Sequence, residues 1–220
     1  MGKKYQVDYT VMRRFSVSLG FTINPAGGNK NRNLKHDYFS EINSAEKAYF
    51  IGFITADGSV SWRQNKKSIS GKLSIEIQES DVKLLERFKQ EINATNEIEF
   101  YRGCASFRIT SNQIVKDLEK HGIVPNKTYS LEQLSLYIPE DYMVDYLRGL
   151  IDGDGSLYYD EKQNLRLNFI SYSEDFCKSF QEAIDHLIDK TNHSKINKQK
   201  QGSYATWSGK QQVTEILKKV

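Results

Sequence analysis

The chain has 220 residues, of which 38% are hydrophobic and 27% are charged, a composition typical of globular proteins rather than disordered or fibrous ones. No stretch reaches the roughly 18 consecutive apolar residues that a membrane span requires, and the two cysteines and four histidines lack the spacing of a disulfide framework or a zinc site. We therefore expect an intracellular, cytoplasmic protein without membrane association, and an organellar or phage-encoded origin stays open.

The first 40 residues form a basic extension. Residues 1–37 contain seven lysines and arginines against two aspartates, whereas the net charge of the whole chain is only +3. A basic arm on a near-neutral body suits a polyanionic partner, although an ordinary solvated tail has the same composition. The role of this extension therefore stays open at the level of the sequence.

Residues 41–126 contain the first of two similar units. Ser44 is a favourable N-cap for a helix that ends at Asp57. Two strands are predicted next, because residues 73–78 alternate apolar and polar side chains, and an amphipathic helix capped by Ser80 or Asp81 follows. The remaining predicted elements are strands at 97–101 and 104–110, which flank a hairpin turn, and a helix at 112–121.

The same order of elements recurs at residues 139–220, after a linker at 127–138. Pro139 opens a helix that ends at Asp154, 97 residues after its counterpart Asp57. The later predicted elements are a strand at 165–169, a helix after Ser173, strands at 194–198 and 203–207, and a helix at 211–219. Each unit is therefore helix–strand–strand–helix–strand–strand–helix, which predicts an α+β fold with two units related by a pseudo-twofold axis.

Small residues recur every four positions in the helix that opens each unit. They are Ala48, Gly52 and Ala56 in the first helix, and Gly149 and Gly153 in the second. Glycine costs a helix about 1 kcal/mol relative to alanine, so its repeated use in one row indicates close approach of another backbone. We expect the two helices to pack glycine face to glycine face, and the glycine after each to end its helix in the left-handed conformation.

This packing would bring Asp57 and Asp154 together at the ends of the two helices. The negative end of a helix dipole repels a carboxylate there, and the two carboxylates also repel each other. Divalent cations would relieve both repulsions, since Mg²⁺ prefers oxygen ligands. Paired cations also suit phosphodiester hydrolysis, because they activate a water molecule and stabilise the leaving oxygen.

Two other interpretations of these aspartates are a surface turn and a calcium loop. A single Asp-Gly pair is usually a surface turn, but two copies on matching glycine-interrupted helices favour a functional site. The second copy also resembles part of an EF-hand calcium loop. That loop would start at Leu150, which cannot bind calcium, so calcium sensing is disfavoured.

The repeated segments resemble a known family. FIGFITADG at residues 50–58 and LRGLIDGDG at residues 147–155 look like two copies of the LAGLIDADG signature, and the likeness extends over residues 44–220. The chain departs from the signature at Thr55, where the family has an aspartate, and at Ile51 and Arg148, where it has alanine.

The resemblance implies a homing endonuclease of the double-motif, single-chain type, acting as a monomer on double-stranded DNA. Each unit would contribute a four-stranded antiparallel sheet, and the two sheets would form a saddle on the DNA. Both strands of a long asymmetric target would be hydrolysed to leave 3′ overhangs. The implied cofactor is Mg²⁺, for which Mn²⁺ can substitute, whereas Ca²⁺ supports binding without cleavage.

The resemblance also assigns roles at the predicted active site. Asp57 and Asp154 would be the catalytic metal ligands, and the backbone carbonyls of Ala56 and Gly153 would complete the metal site.

Two further residues match positions that assist catalysis in the family. These are Gln78, at the end of the second strand, and Lys127, after the third helix. The counterpart of Lys127 would lie beyond Val220, so we expect either that one active site lacks its lysine or that the sequence is truncated.

Strand alternation predicts which side chains face the DNA, because successive residues point to opposite sides of a sheet. The expected base-contacting residues are Ser74, Glu76, Gln78, Ser106 and Arg108 in the first unit, and Arg166, Asn168, Tyr204 and Thr206 in the second. The residues expected to contact phosphates are Arg63, Lys66, Lys67, Lys195, Lys198 and Lys200. An ordinary polar sheet surface is the alternative for any one of them.

A second function on the same scaffold is a non-cleaving nucleic-acid binder, either an RNA maturase or a DNA-binding regulator. Retention of both aspartates favours the enzyme, because a binder has no chemical need for two repelling carboxylates, although a maturase can keep them. Residues 5–20 would fit the remnant of a small helical DNA-binding module, as in some family members.

Overall fold

Two long helices, α1 (Ala45–Asp57) and α4 (Met143–Asp154), lie side by side at the centre of the molecule. The computed structural model describes residues 33–65, 68–127, 130–190, 195–200 and 202–220. The basic extension before residue 33 lies outside these residues, as do Lys66 and Lys67.

The first unit follows the predicted order of elements. After α1 come β1 (Gly58–Asn65), β2 (Ser68–Gln78), α2 (Val82–Glu91), β3 (Ile98–Tyr101), β4 (Cys104–Thr110) and α3 (Asn112–Lys120). Ser44 caps α1, because its hydroxyl accepts a hydrogen bond from the Lys47 amide. Asp81 stands at the predicted N-cap position of α2, but its side chain makes no capping hydrogen bond, and a 3₁₀ turn at Glu79–Asp81 precedes the helix.

The second unit repeats this order. After α4 come β5 (Gly155–Tyr159), β6 (Leu165–Ser171), α5 (Glu174–Leu187), β7 (Asn197–Gln199), β8 (Gly202–Ser208) and α6 (Lys210–Lys219). Ser173 caps α5 by accepting a hydrogen bond from the Phe176 amide. Strand β7 is shorter than predicted and starts later.

Each unit contains one antiparallel four-stranded sheet. The strand orders are β1-β2-β4-β3 and β5-β6-β8-β7, so the two sheets have the same topology. The registers also match, because Gly58 pairs with Ile75 in the first sheet and Gly155 pairs with Phe169 in the second. The α+β fold with two similar units is therefore confirmed.

Aromatic side chains fill the space between each sheet and its helices. In the first unit the ring of Phe88 on α2 lies 4.9 Å from that of Phe50 and 6.0 Å from that of Phe107, measured between centroids. In the second unit Phe180 on α5 stacks on Phe169 at 3.8 Å. Burial of each such side chain contributes about 1.5–3 kcal/mol, which fixes the sheets against the helices.

The segments outside the repeated elements also contribute to the core. Leu34, Phe39 and Ile42 are buried ahead of α1, and Leu131 and Ile138 are buried between the units. In the part of the chain that the structure describes, no helix has the length and apolar character needed to cross a membrane.

Candidate active site and nucleic-acid interface

Helices α1 and α4 contact each other through their glycines. A Cβ atom added to Gly52 would lie 2.1 Å from the carbonyl oxygen of Tyr146, and one added to Gly149 would lie 2.1 Å from that of Tyr49. Any side chain at either position would therefore collide with the opposite backbone. The predicted glycine-mediated packing is confirmed, and its symmetry matches the 97-residue repeat.

The packing continues to the C-terminal ends of both helices, where the two aspartates lie. A Cβ atom on Gly153 would lie 3.0 Å from Oδ2 of Asp57, and it would also collide with Ala56. Glycine at this position leaves room for the opposite carboxylate. Asp57 and Asp154 are the last residues of their helices, so the helix pair brings them to one place.

The predicted left-handed ends of these helices were wrong. Gly58 has φ −84° and Gly155 has φ −89°, both with extended ψ, and each starts a strand directly. Glycine is needed here for space, because a Cβ atom on Gly58 would lie 2.6 Å from the carbonyl oxygen of Ile54. The aspartates therefore stand at helix-to-strand junctions rather than in turns.

Lys127 reaches this site from the segment between the units. Its side chain is only 8% exposed, and its Nζ donates a hydrogen bond of 3.1 Å to the carbonyl oxygen of Ala56. Its positive charge lowers the pKa of both Asp57 and Asp154. Asp154, Lys127 and Tyr172 line one cavity of about 250 Å³.

Burial makes the charges at this site unfavourable. The pKa of Asp154 is raised to about 6, first by burial and then by the nearby charge of Asp57, whereas Lys127 opposes both effects. Burial also raises the pKa of Asp57, again against Lys127, while Asp81 adds to the rise. The pKa of Lys127 is lowered by burial, and the two aspartates counteract this. Perturbed groups of this kind, clustered at one place in the fold, are typical of functional sites.

The oxygen atoms at the site suit a hard divalent cation. Asp57 and Asp154 supply carboxylates, and the Ala56 carbonyl already faces a positive charge in the Lys127 ammonium. Mg²⁺ is usually held by one or two carboxylates and keeps several waters. Among the residues that the structure describes, no three His, Cys, Asp or Glu side chains group as a metal site. Any cation here would therefore depend on the two aspartates, backbone carbonyls and water.

Different residues stand at matching positions at the end of the second strand in each unit. In the first sheet Gln78 follows Ile75 by three residues, and it is exposed at the end of β2. In the second sheet Tyr172 follows Phe169 by three residues and is 59% exposed. Gln78 was predicted from the sequence but Tyr172 was not, because only the strand register identifies Tyr172 as its counterpart.

The first sheet carries polar side chains on the face opposite its helices. Along β2, exposed Glu76 alternates with buried Leu73 and Ile75, and Ser74 lies on the same side as Glu76. Glu76 pairs in register with Ser106, and Ser74 pairs with Arg108. The side chains on this face also contact one another: Arg108 forms an ion pair with Glu99 on β3.

The second sheet has a corresponding face. Strand pairing places Asn168 beside Thr206, and Tyr204 lies further along the same side of β8. The amide of Asn168 donates a hydrogen bond of 3.0 Å to the Tyr158 hydroxyl. Arg166 lies on this side as well, held by neighbouring side chains.

The basic residues expected at phosphates have varied positions. Arg63 on β1 is exposed, as are Lys195 and Lys200 on either side of β7. Lys198 pairs in register with Ser203, which places it on the helix side of the second sheet, where it forms an ion pair with Glu174. Lys66 and Lys67 belong to the part of the chain that is not described.

Comparisons with known proteins agree with this architecture. The sequence pattern of the LAGLIDADG-like domain matches twice, at residues 44–121 and 141–220. Among proteins of curated function, none matches the chain in sequence.

Solved structures of two meganucleases have a similar fold. The LAGLIDADG meganuclease I-AabMI bound to uncleaved DNA has a TM-score of 0.51 at 15% identity, covering 78% of this chain and 81% of that one. Meganuclease I-SmaMI bound to uncleavable DNA has a TM-score of 0.52 at 19% identity, covering 78% and 82%. I-SmaMI bound to cleaved DNA gives 0.51 at 18% identity, covering 76% and 79%.

Proposed function

Because this chain belongs to the LAGLIDADG family and carries the family's domain twice, we propose that it is a divalent-metal-dependent endonuclease that cuts both strands of DNA at one long target. The observation that carries the proposal is the packing of α1 against α4, which brings Asp57 and Asp154 together at the helix ends beside buried Lys127.

The chemistry of the site supports hydrolysis of a phosphodiester. Asp57 and Asp154, with the carbonyls of Ala56 and Gly153, would hold Mg²⁺ or Mn²⁺. When bound, such cations lower the pKa of a water molecule and stabilise the leaving oxygen. Burial raises the pKa of both carboxylates, and the charge of Asp57 adds to the rise at Asp154. A bound cation would offset these effects, because its positive charge stabilises the ionised carboxylates.

The protein's own residues would orient the reacting groups. Lys127 holds the Ala56 carbonyl by a hydrogen bond, and its positive charge suits a phosphate oxygen entering the cavity. Gln78 and Tyr172 stand at matching positions of the two units, where an amide or a hydroxyl can hydrogen-bond a water molecule. The two scissile phosphates would therefore meet different neighbours.

The two sheets would bind the DNA on their polar faces. Their outward residues differ between the units, so each sheet would recognise a different half-site, and the target would be asymmetric. One chain supplies both aspartates, which fits a monomer. We further propose that cleavage leaves 3′ overhangs, that Ca²⁺ supports binding without cleavage, and that the enzyme acts inside the cell in intron or intein homing.

The test is incubation of the protein with a randomised DNA duplex library and Mg²⁺, followed by sequencing of the cut ends. The proposal expects ends that map to one asymmetric sequence, with staggered cuts. Asp57→Asn or Asp154→Asn should abolish double-strand cleavage and retain binding, because the fold and the DNA face are unchanged.

Asp152→Asn is the matched control. Asp152 lies two residues before Asp154, and it accepts a hydrogen bond from the Tyr49 hydroxyl, a role that an asparagine oxygen can also fill. This variant should cleave like the wild type.

Sequence-specific binding without cleavage in any divalent metal would refute the proposed nuclease activity and indicate a DNA-binding regulator. Binding to RNA alone would indicate a maturase.

A further inference from the structure

Arg166 on β6 is held in one orientation by two side chains. Its Nε donates a hydrogen bond of 2.8 Å to Oδ2 of Asp160, and its Nη1 donates one of 2.8 Å to the Ser208 hydroxyl. Asp160 lies in the turn between β5 and β6, and Ser208 lies on the neighbouring strand β8. The guanidinium is therefore fixed from two directions on the outward face of the second sheet.

Asp160 is itself anchored to the backbone of its turn. Its Oδ1 accepts hydrogen bonds of 2.9 Å from the backbone amides of Lys162 and Asn164. These bonds, together with that from Arg166, lower the pKa of Asp160 to about 2. The carboxylate is therefore ionised at neutral pH and cannot easily turn away from the arginine.

Part of the guanidinium stays available for a ligand. The bonds to Asp160 and Ser208 use Nε and one N–H of Nη1, while the side chain is 33% exposed. A guanidinium is planar and carries further N–H donors on Nη1 and Nη2. In the DNA major groove, guanine presents two acceptors, O6 and N7, that match two such donors.

We propose that Arg166 reads one guanine of the half-site bound by the second sheet, with Asp160 and Ser208 as the positioning residues. This inference rests on the proposed DNA-binding function and names one determinant of its specificity. Pre-orientation matters because an arginine that is already ordered loses little conformational freedom on binding.

Arg108 in the first unit provides a natural comparison. Its ion pair joins it to Glu99, and their side chains are 41% and 67% exposed. An exposed pair of this kind holds its members weakly. Arg108 is therefore less firmly oriented than Arg166, and its substitution controls for the loss of any arginine from the DNA-facing surface.

The experiment is selection of bound duplexes from a randomised library in Ca²⁺, with sequencing of the selected pool for the wild type, Arg166→Lys, Asp160→Asn and Arg108→Lys. The wild type should enrich guanine at one base pair of one half-site. Arg166→Lys keeps the charge but loses the planar fork, so it should reduce that preference about tenfold and leave the other positions unchanged.

The two other variants refine the result. Asp160→Asn should weaken the same guanine preference to a smaller extent, because the guanidinium of Arg166 is then less firmly oriented. A thermal melt checks that this variant remains folded. Arg108→Lys should leave that base pair unaffected. Two results would overturn the inference: an undiminished guanine preference in Arg166→Lys, or an affinity loss spread evenly over all sequences, as a phosphate contact would give. Failure of the wild type to select any sequence would instead refute the proposed function itself.

Discussion

The substitution Gly149→Ala tests the contact on which the proposed site depends. A Cβ atom at this position would lie 2.1 Å from the Tyr49 carbonyl oxygen and 2.8 Å from the Phe53 amide nitrogen, whereas ordinary contacts begin at 3.4 Å. The helices would have to separate by about 1.3 Å at this point. Such overpacking costs about 3 kcal/mol, and the higher helix propensity of alanine offsets about 1 kcal/mol.

We therefore expect Gly149→Ala to lower the free energy of unfolding by about 2 kcal/mol. For a protein of this size, that corresponds to a Tm about 4–8 °C lower. Differential scanning calorimetry measures the change. Gly52→Ala should behave similarly, since its added Cβ atom meets the Tyr146 carbonyl in the same way. Glu215→Ala, at an exposed position of α6, is the control and should change the Tm little. An unchanged or raised Tm in Gly149→Ala would refute the close packing of α1 against α4.

Three further predictions concern buried polar groups. The pKa of Asp154 is raised to about 6, mainly by burial. Ionisation of this carboxyl therefore destabilises the metal-free protein as the pH rises from about 4 to 6. In EDTA, the Tm of Asp154→Asn should match that of the wild type near pH 4 and exceed it at pH 7. Lys127→Met should raise the pKa of Asp154 above about 6, measured by NMR titration of its carboxyl carbon, because Lys127 lowers that pKa. Trp207→Phe should lower the free energy of unfolding, measured by urea denaturation, by about 3 kcal/mol, because it removes a hydrogen-bond donor from fully buried Asp185. Trp62→Phe should lower it by only about 1 kcal/mol, because the hydrogen bond of Trp62 to Glu119 is less buried.

Each of these predictions has a result that would contradict it. A constant Tm difference between Asp154→Asn and the wild type across this pH range would show that the carboxyl is not buried as described. An unchanged pKa of Asp154 in Lys127→Met would mean that the ammonium lies away from the carboxylate. Equal losses in Trp207→Phe and Trp62→Phe would mean that burial does not distinguish the two indole hydrogen bonds.

Several features of the site could be predicted from the sequence because they depend on local spacing. The 97-residue repeat gave the number of units and the order of their elements. Glycines four residues apart in a helix lie on one face, so Gly52, Gly149 and Gly153 indicated where the helices would meet. Since Asp57 and Asp154 end those helices, their proximity followed from the same pattern.

Other features depend on contacts between residues that are distant in the sequence. Gly58 and Gly155 were predicted to be left-handed because glycine commonly ends helices in that way, but crowding by the preceding turn requires glycine here in extended backbone. The position of Tyr172 became clear only from strand pairing, since a register is not visible in one strand alone. Alternation could not predict that Lys198 faces α5, because its strand contains only three residues.

The sequence by itself determined the repeated α+β units, the glycine row of each central helix and the two aspartates, because each of these is a matter of composition and local periodicity. Only the tertiary structure decided that buried Lys127 lies near both carboxylates and that Asp160 and Ser208 orient Arg166. The physical reason is that burial and hydrogen-bond geometry arise from segments brought together in space: 71 residues separate Lys127 from Ala56, and 42 residues separate Arg166 from Ser208.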